Sequence, residues 1–378
     1  MKILILVRIL WPGGVQRTAF AEADGLRKLG NEVELVFIRD TGRLHYSENV
    51  SYSTIFNNEV NKRFVAKILR RITAHYLPAR GPDSTVDIDL IYKFIHSIKQ
   101  KYDLVYCFDE FIGFFAKPIK RRFGSTIVVL IHEAALNKRG ISALIQRRAM
   151  KLADVVLTNS KYNFEILKSF DRKKIYEVYP GLYPKSKVKD FTERKNIAIS
   201  VTMWDSGRKP EIFLCIAQHL NNGKIMLVGD WADENYLRQF KERIVKLNLL
   251  DRLIVTGPVS EETLASYYEH SKVSIRFGYD EKGPGMGSLE SLSYGLPIII
   301  NYGIGFKEVI KHGINGFIVN ERECKDVATL IDELFTNKEK WEYIHKNNLS
   351  LANEYSWDHH NEKLNAIFEK SVNNSKKI

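Results

Sequence analysis

The sequence predicts an α/β fold in two Rossmann-like halves whose parallel sheets face each other across a cleft, and three observations support it. At 378 residues the chain exceeds what one ordinary core organises, domains running to roughly 100 to 200 residues, so two are expected. Short β-rich apolar runs alternate with longer helical patterns along nearly the whole length, as parallel sheets covered by helices require. Between two such series, residues 179–193 gather Pro180, Gly181, Pro184 and several charges, the composition of an interdomain linker.

In the first half, strands are expected near residues 2–8, 33–38, 104–107, 126–131 and 155–158. The opening run Met1-Lys-Ile-Leu-Ile-Leu-Val-Arg8 is broken by Arg8 and ended by Trp11-Pro-Gly-Gly14. It is too short for a signal segment or a membrane span and reads as a buried first strand. Gly14 to Leu29 follows as the first crossover helix, with Gly30 as its stop. The second half repeats the pattern, with strands near 197–202, 224–228, 252–256, 273–277 and 297–300. The polar, helical segment after Tyr355 is expected to cross back onto the first half. The domains are therefore placed at residues 1–185 and 186–354, with a returning helix at 355–378.

Hydrophobic residues at 44% and charged residues at 27% are ordinary for a folded globular chain and exclude a disordered one. No stretch reaches the roughly 18 apolar residues of a spanning helix, so a soluble or peripheral protein is expected. Cys107, Cys215 and Cys324 lie far apart and form no CxxC, which reads as three reduced thiols in a cytoplasmic protein. The histidines form no HExxH, and His359 with His360 cannot share a helical face, so no metal site is expected. Asp87-Ile-Asp89 looks like a metal-binding DxD but precedes a helical pattern from Leu90 to Ile98, where it would cap the helix.

Lys and Arg exceed Asp and Glu by 12, which draws a protein toward phosphate-rich partners. In residues 61–76, Phe64, Val65, Ile68, Leu69, Ile72 and Tyr76 fall at helical spacing, with Lys62, Arg63, Lys67, Arg70 and Arg71 on the other face. Such a helix can lie on an anionic membrane surface or pack its apolar stripe on the core. Nucleic acid is not the expected partner, because no aromatic RNA-binding motif, zinc-finger spacing or helix-turn-helix is present.

The most informative segment is Tyr279-Asp-Glu-Lys-Gly-Pro-Gly-Met-Gly-Ser-Leu-Glu-Ser-Leu-Ser-Tyr-Gly-Leu-Pro297. A strand ending near Phe277 leads into a glycine-rich loop, then a helix from about Ser288 to Tyr294 that Gly295 and Pro297 terminate. Gly283, Gly285, Met286 and Gly287 bring backbone close to a ligand and aim N–H groups at it from a helix N-terminus, which suits a diphosphate. Glu290, placed in the first turn, can accept hydrogen bonds from sugar hydroxyls, and Glu281 can do the same for a second sugar; a helix-stabilising acid and a solvated loop acid are the plainer alternatives. Arg208 and Lys209, in Met203-Trp-Asp-Ser-Gly-Arg-Lys-Pro210, are adjacent cations after a strand, suited to a leaving diphosphate or simply solvated.

These residues resemble the GT-B glycosyltransferases, particularly the retaining family numbered 4, which carries Glu-Gly-Phe-Gly followed by Glu-Ala-Met-Ala-x-Gly-x-Pro. Leu289-Glu-Ser-Leu-Ser-Tyr-Gly-Leu-Pro297 is similar to the second part. Gly13-Gly14-Val15, Ile131-His-Glu133, Thr158-Asn-Ser160 and His312-Gly-Ile-Asn-Gly-Phe317 resemble further family segments, so the likeness covers essentially the whole chain. It implies a GT-B fold and a metal-independent, cofactor-free retaining transfer from a nucleotide-sugar donor to a glycan or lipid-linked acceptor. By position it implies that Glu290 holds the donor ribose and Glu281 the transferred sugar. Arg208 and Lys209 would bind the diphosphate, Gly13 and Gly14 approach phosphates or acceptor, and His132 contacts the sugar. Glu281 and Glu290 enclose eight residues where the family has seven, with Lys282 at the place of the first acid. A sugar-nucleotide epimerase or phosphorylase-like enzyme shares the architecture, since fold does not fix function.

Overall fold

The computed structural model describes residues 1–10, 13–42, 50–57, 88–97, 99–134, 141–171, 174–279 and 281–375, with Phe64 and Ile68 as isolated helical positions. It divides into two compact units: Met1–Gly181 with Trp357–Ile378, and Leu182–Ser356.

Unit 1 runs β1 (Lys2–Leu10), α1 (Gly14–Lys28), β2 (Glu32–Asp40), β3 (Ser53–Phe56), α2 (Ile88–Ser97), β4 (Leu104–Cys107), α3 (Glu110–Gly113), α4 (Ala116–Phe123), β5 (Thr126–Ile131), α5 (Ile141–Leu152), β6 (Val155–Thr158), α6 (Lys161–Asp171) and β7 (Ile175–Glu177). Its sheet has the order β3-β2-β1-β4-β5-β6-β7, all pairs parallel. Ile3 to Val7 of β1 and all of β4 and β5 are buried, which is why the strands between helical layers read as unbroken apolar runs. The order reverses between β1 and β4, so a ligand crevice is expected at the C-terminal ends of those strands.

Unit 2 runs β8 (Lys195–Val201), α7 (Glu211–His219), β9 (Lys224–Val228), α8 (Glu234–Lys246), β10 (Leu253–Gly257), α9 (Glu261–His270), β11 (Ser271–Arg276), α10 (Met286–Ser293), β12 (Ile298–Asn301), β13 (Gly316–Val319), α11 (Cys324–Thr336) and α12 (Lys338–Glu354). Its parallel sheet, β10-β9-β8-β11-β12-β13, reverses between β8 and β11 in the same way. Both halves are thus Rossmann-like. The edge strands β3, β7 and β13 were not foreseen because, unlike the comparably short β4, β6 and β12, they are not buried along their whole length.

The last helix, α13 (Trp357–Ser375), belongs to unit 1, as expected of the returning segment. Leu364, Ile367, Phe368 and Val372 enter the core beneath α1, with the Phe368 ring centroid 5.3 Å from that of Tyr106. His360 turns inward, Nδ1 2.6 Å from the Tyr179 carbonyl and Nε2 3.0 Å from Glu22 Oε1, while His359 is exposed. Gly25 is the residue that allows the approach, since a Cβ there would stand 2.0 Å from Asn361 Nδ2.

One expectation needs correction here. Cys215 on α7 and Cys324 on α11 are joined in a disulfide, their Cα atoms 5.8 Å apart, so only Cys107 keeps its thiol. The pair was not foreseen because the two cysteines, 109 positions apart in sequence, lie on helices that only the fold packs side by side. Helix α2 is described from Ile88, which places Asp89 in its first turn. Asp87 and, apart from Phe64 and Ile68, the basic stretch 61–76 lie outside the described residues. Among the described residues no helix is long and apolar enough to cross a membrane.

Candidate functional site

In unit 2 the glycine-rich segment forms the loop between β11 and α10. Gly285 stands at the N-cap of α10 with φ of 68°, a left-handed conformation that glycine adopts without penalty. The helix begins at Met286, two residues earlier than the sequence suggests, so Gly287 lies in its first turn and Glu290 is its fifth residue, beyond that turn. The dipole therefore favours the Glu290 charge less than expected. A neighbour from α9 holds this carboxylate instead: the Tyr268 hydroxyl lies 3.2 Å from Glu290 Oε2 and 3.3 Å from the Gly287 carbonyl.

Glu281 is the centre of a charged cluster. Arg276, the last residue of β11, donates through Nη2 to Glu281 Oε1 at 2.9 Å and to Oε2 at 2.7 Å. Arg208 donates through Nη1 to the same Oε2 at 2.6 Å. The Arg276 side chain is 6% exposed, that of Glu281 18% and that of Arg208 30%, so the cluster runs from the strand end toward solvent. Burial lowers the Arg276 pKa and the Glu281 charge opposes that shift.

Arg208 closes a turn of 3₁₀ helix, Ser206–Arg208, whose start is capped by Asp205 Oδ1 accepting from Arg208 N at 2.9 Å. Lys209 follows with φ of 47°, rare for a side-chain-bearing residue, and its ammonium sits 4.0 Å from the Tyr279 ring centroid. Lys282 is buried.

In unit 1, Gly13 is the extended N-cap of α1 and Gly14 its first residue, and the first turn carries no acidic side chain. His132 follows β5, its Nε2 2.7 Å from the Phe108 carbonyl. That oxygen can only accept, so Nε2 carries the proton and Nδ1 the lone pair of the neutral ring. Burial lowers the ring's pKa, favouring that neutral form. Asn163 fixes the His132 loop, donating to the His132 carbonyl at 3.0 Å and accepting from Ala134 N at 2.9 Å.

The fold thus brings Arg208, Lys209, Glu281, Gly285, Met286, Gly287 and Glu290 onto one edge of unit 2, at the C-terminal ends of its strands, and places Gly13, Gly14 and His132 at the corresponding edge of unit 1. Sequence reasoning missed Arg276, Tyr268 and, beside His132, the set Arg8, Asp109 and Glu110. Arg8 Nε lies 3.1 Å from Asp109 Oδ2, where β1 and β4 diverge. An arginine closing the strand just before the glycine-rich loop was the available signal for Arg276; Tyr268 had none, being one of two adjacent tyrosines on a polar helix.

Residues 185–350 match the family model for Glycosyl transferases group 1, and residues 12–185 match that for Glycosyltransferase Family 4. The chain is a GT-B glycosyltransferase resembling family 4. It is similar to an uncharacterized glycosyltransferase, MJ1607, of Methanocaldococcus jannaschii, with 23% identity over 68% of this chain and 73% of the relative. Among solved structures, Anabaena Alr3699/HepE in complex with UDP and glucose superposes with a TM-score of 0.76 at 17% identity, covering 98% of this chain and 100% of that one. Sucrose-phosphate synthase from Thermosynechococcus elongatus gives 0.74 at 15% identity, with 98% of each chain covered.

Proposed function

We propose that this glycosyltransferase transfers a sugar from a nucleoside diphosphate sugar to a glycan or lipid-linked acceptor with retention of anomeric configuration, using neither a metal ion nor a resident cofactor. The observation that carries the reading is the set of groups at the β11–α10 loop: the Arg208 guanidinium, an adjacent ammonium and a glycine-capped helix start within one strand-end region. Groups of this kind match a leaving diphosphate, whose charge grows as the glycosidic bond breaks.

In this reading Glu290, held by Tyr268, accepts the ribose hydroxyls, and Arg208, Lys209 and the backbone at Gly285, Met286 and Gly287 receive the diphosphate. Glu281 faces the transferred sugar. Gly13, Gly14 and the neutral His132 serve the phosphates, acceptor and sugar from unit 1. The enzyme is placed in the cytoplasm, and residues 61–76 are its proposed contact with an anionic membrane surface.

Thermal shifts with UDP, GDP, ADP, CMP and dTDP on the wild type and Glu290→Ala test the proposal. A nucleotide at 100 times its dissociation constant stabilises by about 2.7 kcal/mol, a shift of several degrees. A selective shift that Glu290→Ala removes, together with loss of turnover in that variant, is expected. Normal turnover in Glu290→Ala would overturn the site assignment.

A further inference from the structure

We propose that Arg276 is a positioning residue for donor binding: it anchors Glu281 so that this carboxylate neutralises Arg208 before the donor arrives and yields Arg208 to the incoming diphosphate. The inference rests on the transferase reading above and adds to it a residue and an ordered exchange of charge partners.

Glu281 Oε2 accepts from both guanidinium groups, at 2.6 Å from Arg208 and 2.7 Å from Arg276. The two contacts are not equivalent. Arg276 is buried, spends Nη1 on the Phe277 carbonyl at 2.5 Å and gives Nη2 to both carboxylate oxygens, so it cannot follow a ligand outward. Arg208 makes one contact to the carboxylate, from a solvent-facing turn. Of the two, Arg208 is the partner that an arriving anion can take.

The charge count gives the exchange its sense. Two guanidinium groups around one carboxylate leave one positive charge, and Lys209 beside Tyr279 adds another. An internal carboxylate on Arg208 keeps the empty site from holding two unmatched cations close together. It must also compete with any phosphate that needs Arg208. Once Arg208 turns to the diphosphate, Glu281 stays fixed by Arg276, which still donates to Oε1 and Oε2, and the one Oε2 acceptor position that Arg208 leaves opens to a hydroxyl of the donor sugar. Phosphate binding thereby prepares the sugar contact. The Lys282 found where the family has its first acid does not replace this arrangement, because its neighbour Glu281 supplies the carboxylate.

Calorimetric titration of wild type, Glu281→Gln, Arg276→Met and the double variant with UDP, GDP, ADP and the matching nucleosides tests the exchange. Glu281→Gln is expected to bind the preferred diphosphate about fivefold tighter or more, and its nucleoside unchanged, because the internal competitor is neutral. Arg276→Met leaves Glu281 wholly to Arg208 and is expected to weaken diphosphate binding, with Arg276→Lys recovering part of the loss. In the Glu281→Gln background the Arg276 substitution should have little effect on that binding, which a merely structural role for Arg276 would not produce. Equal diphosphate affinity in wild type and Glu281→Gln would overturn the exchange while leaving the transferase reading intact. If no nucleotide bound the wild type, that reading itself would fall.

Discussion

Glu110 opens α3 at the end of β4, next to Asp109. Burial raises its pKa from the ordinary carboxylate value to about 7, and the Asp109 charge adds to the rise. A carboxyl raised on folding holds its proton in the native state where the unfolded chain has lost it. Stability therefore falls as pH rises from about 4.5 to about 7 and is level above that range. His132 has the opposite sign, since a pKa lowered by burial weakens the fold as pH drops below about 6.5. Glu110→Gln should remove the first effect alone, raising the melting temperature relative to wild type at pH 8 and not at pH 4. Parallel melting curves across that range would contradict it. At this scale the sequence exposed residues whose chemistry is local: Glu290 and the glycines were legible from a motif and a helix stop. Arg276 and Tyr268 were not, because their roles arise from contacts across elements, such as that of Tyr268 with Glu290, 22 positions further along the chain.

Helix α10 carries the motif, but other elements hold it. Arg194, buried just before β8, donates to the Tyr294 carbonyl at 3.0 Å, to Ser271 O at 2.9 Å and to Tyr268 O at 3.2 Å. One guanidinium thus ties the C-terminal ends of α9 and α10, which supply Tyr268 and Glu290, to the start of β11. From α12, Asn348 donates to the Leu296 carbonyl at 2.7 Å and His345 lies 2.9 Å from that of Gly295. Arg194→Met would leave buried carbonyls without a donor, at a cost of about 3 kcal/mol, and should slow turnover as α10 loosens. Denaturant unfolding checks the first effect and kcat the second; an unchanged midpoint would refute the account. The helix itself was legible because Gly295 and Pro297 punctuate it, whereas its start was misplaced by two residues because Gly285 caps it through backbone conformation alone.

The chain as a whole makes two units from three segments, because α13 completes the unit begun by β1. The alternating strands and helices made the two-unit plan readable. The disulfide was unreadable, since the pairing of α7 with α11 is a property of the assembled sheet. That α13 is part of a core, and not a tail, follows from Phe368, which is fully buried against Tyr106 although the rest of unit 1 ends at Gly181. Phe368→Ala should cost about 3 to 5 kcal/mol. For a unit of this size that lowers the melting temperature by about 10 °C. If each unit melts on its own core, scanning calorimetry of the full chain should show Phe368→Ala moving one transition and Arg194→Met the other. A variant at residue 368 that left the unit 1 transition in place would mean that α13 covers this unit without stabilising it.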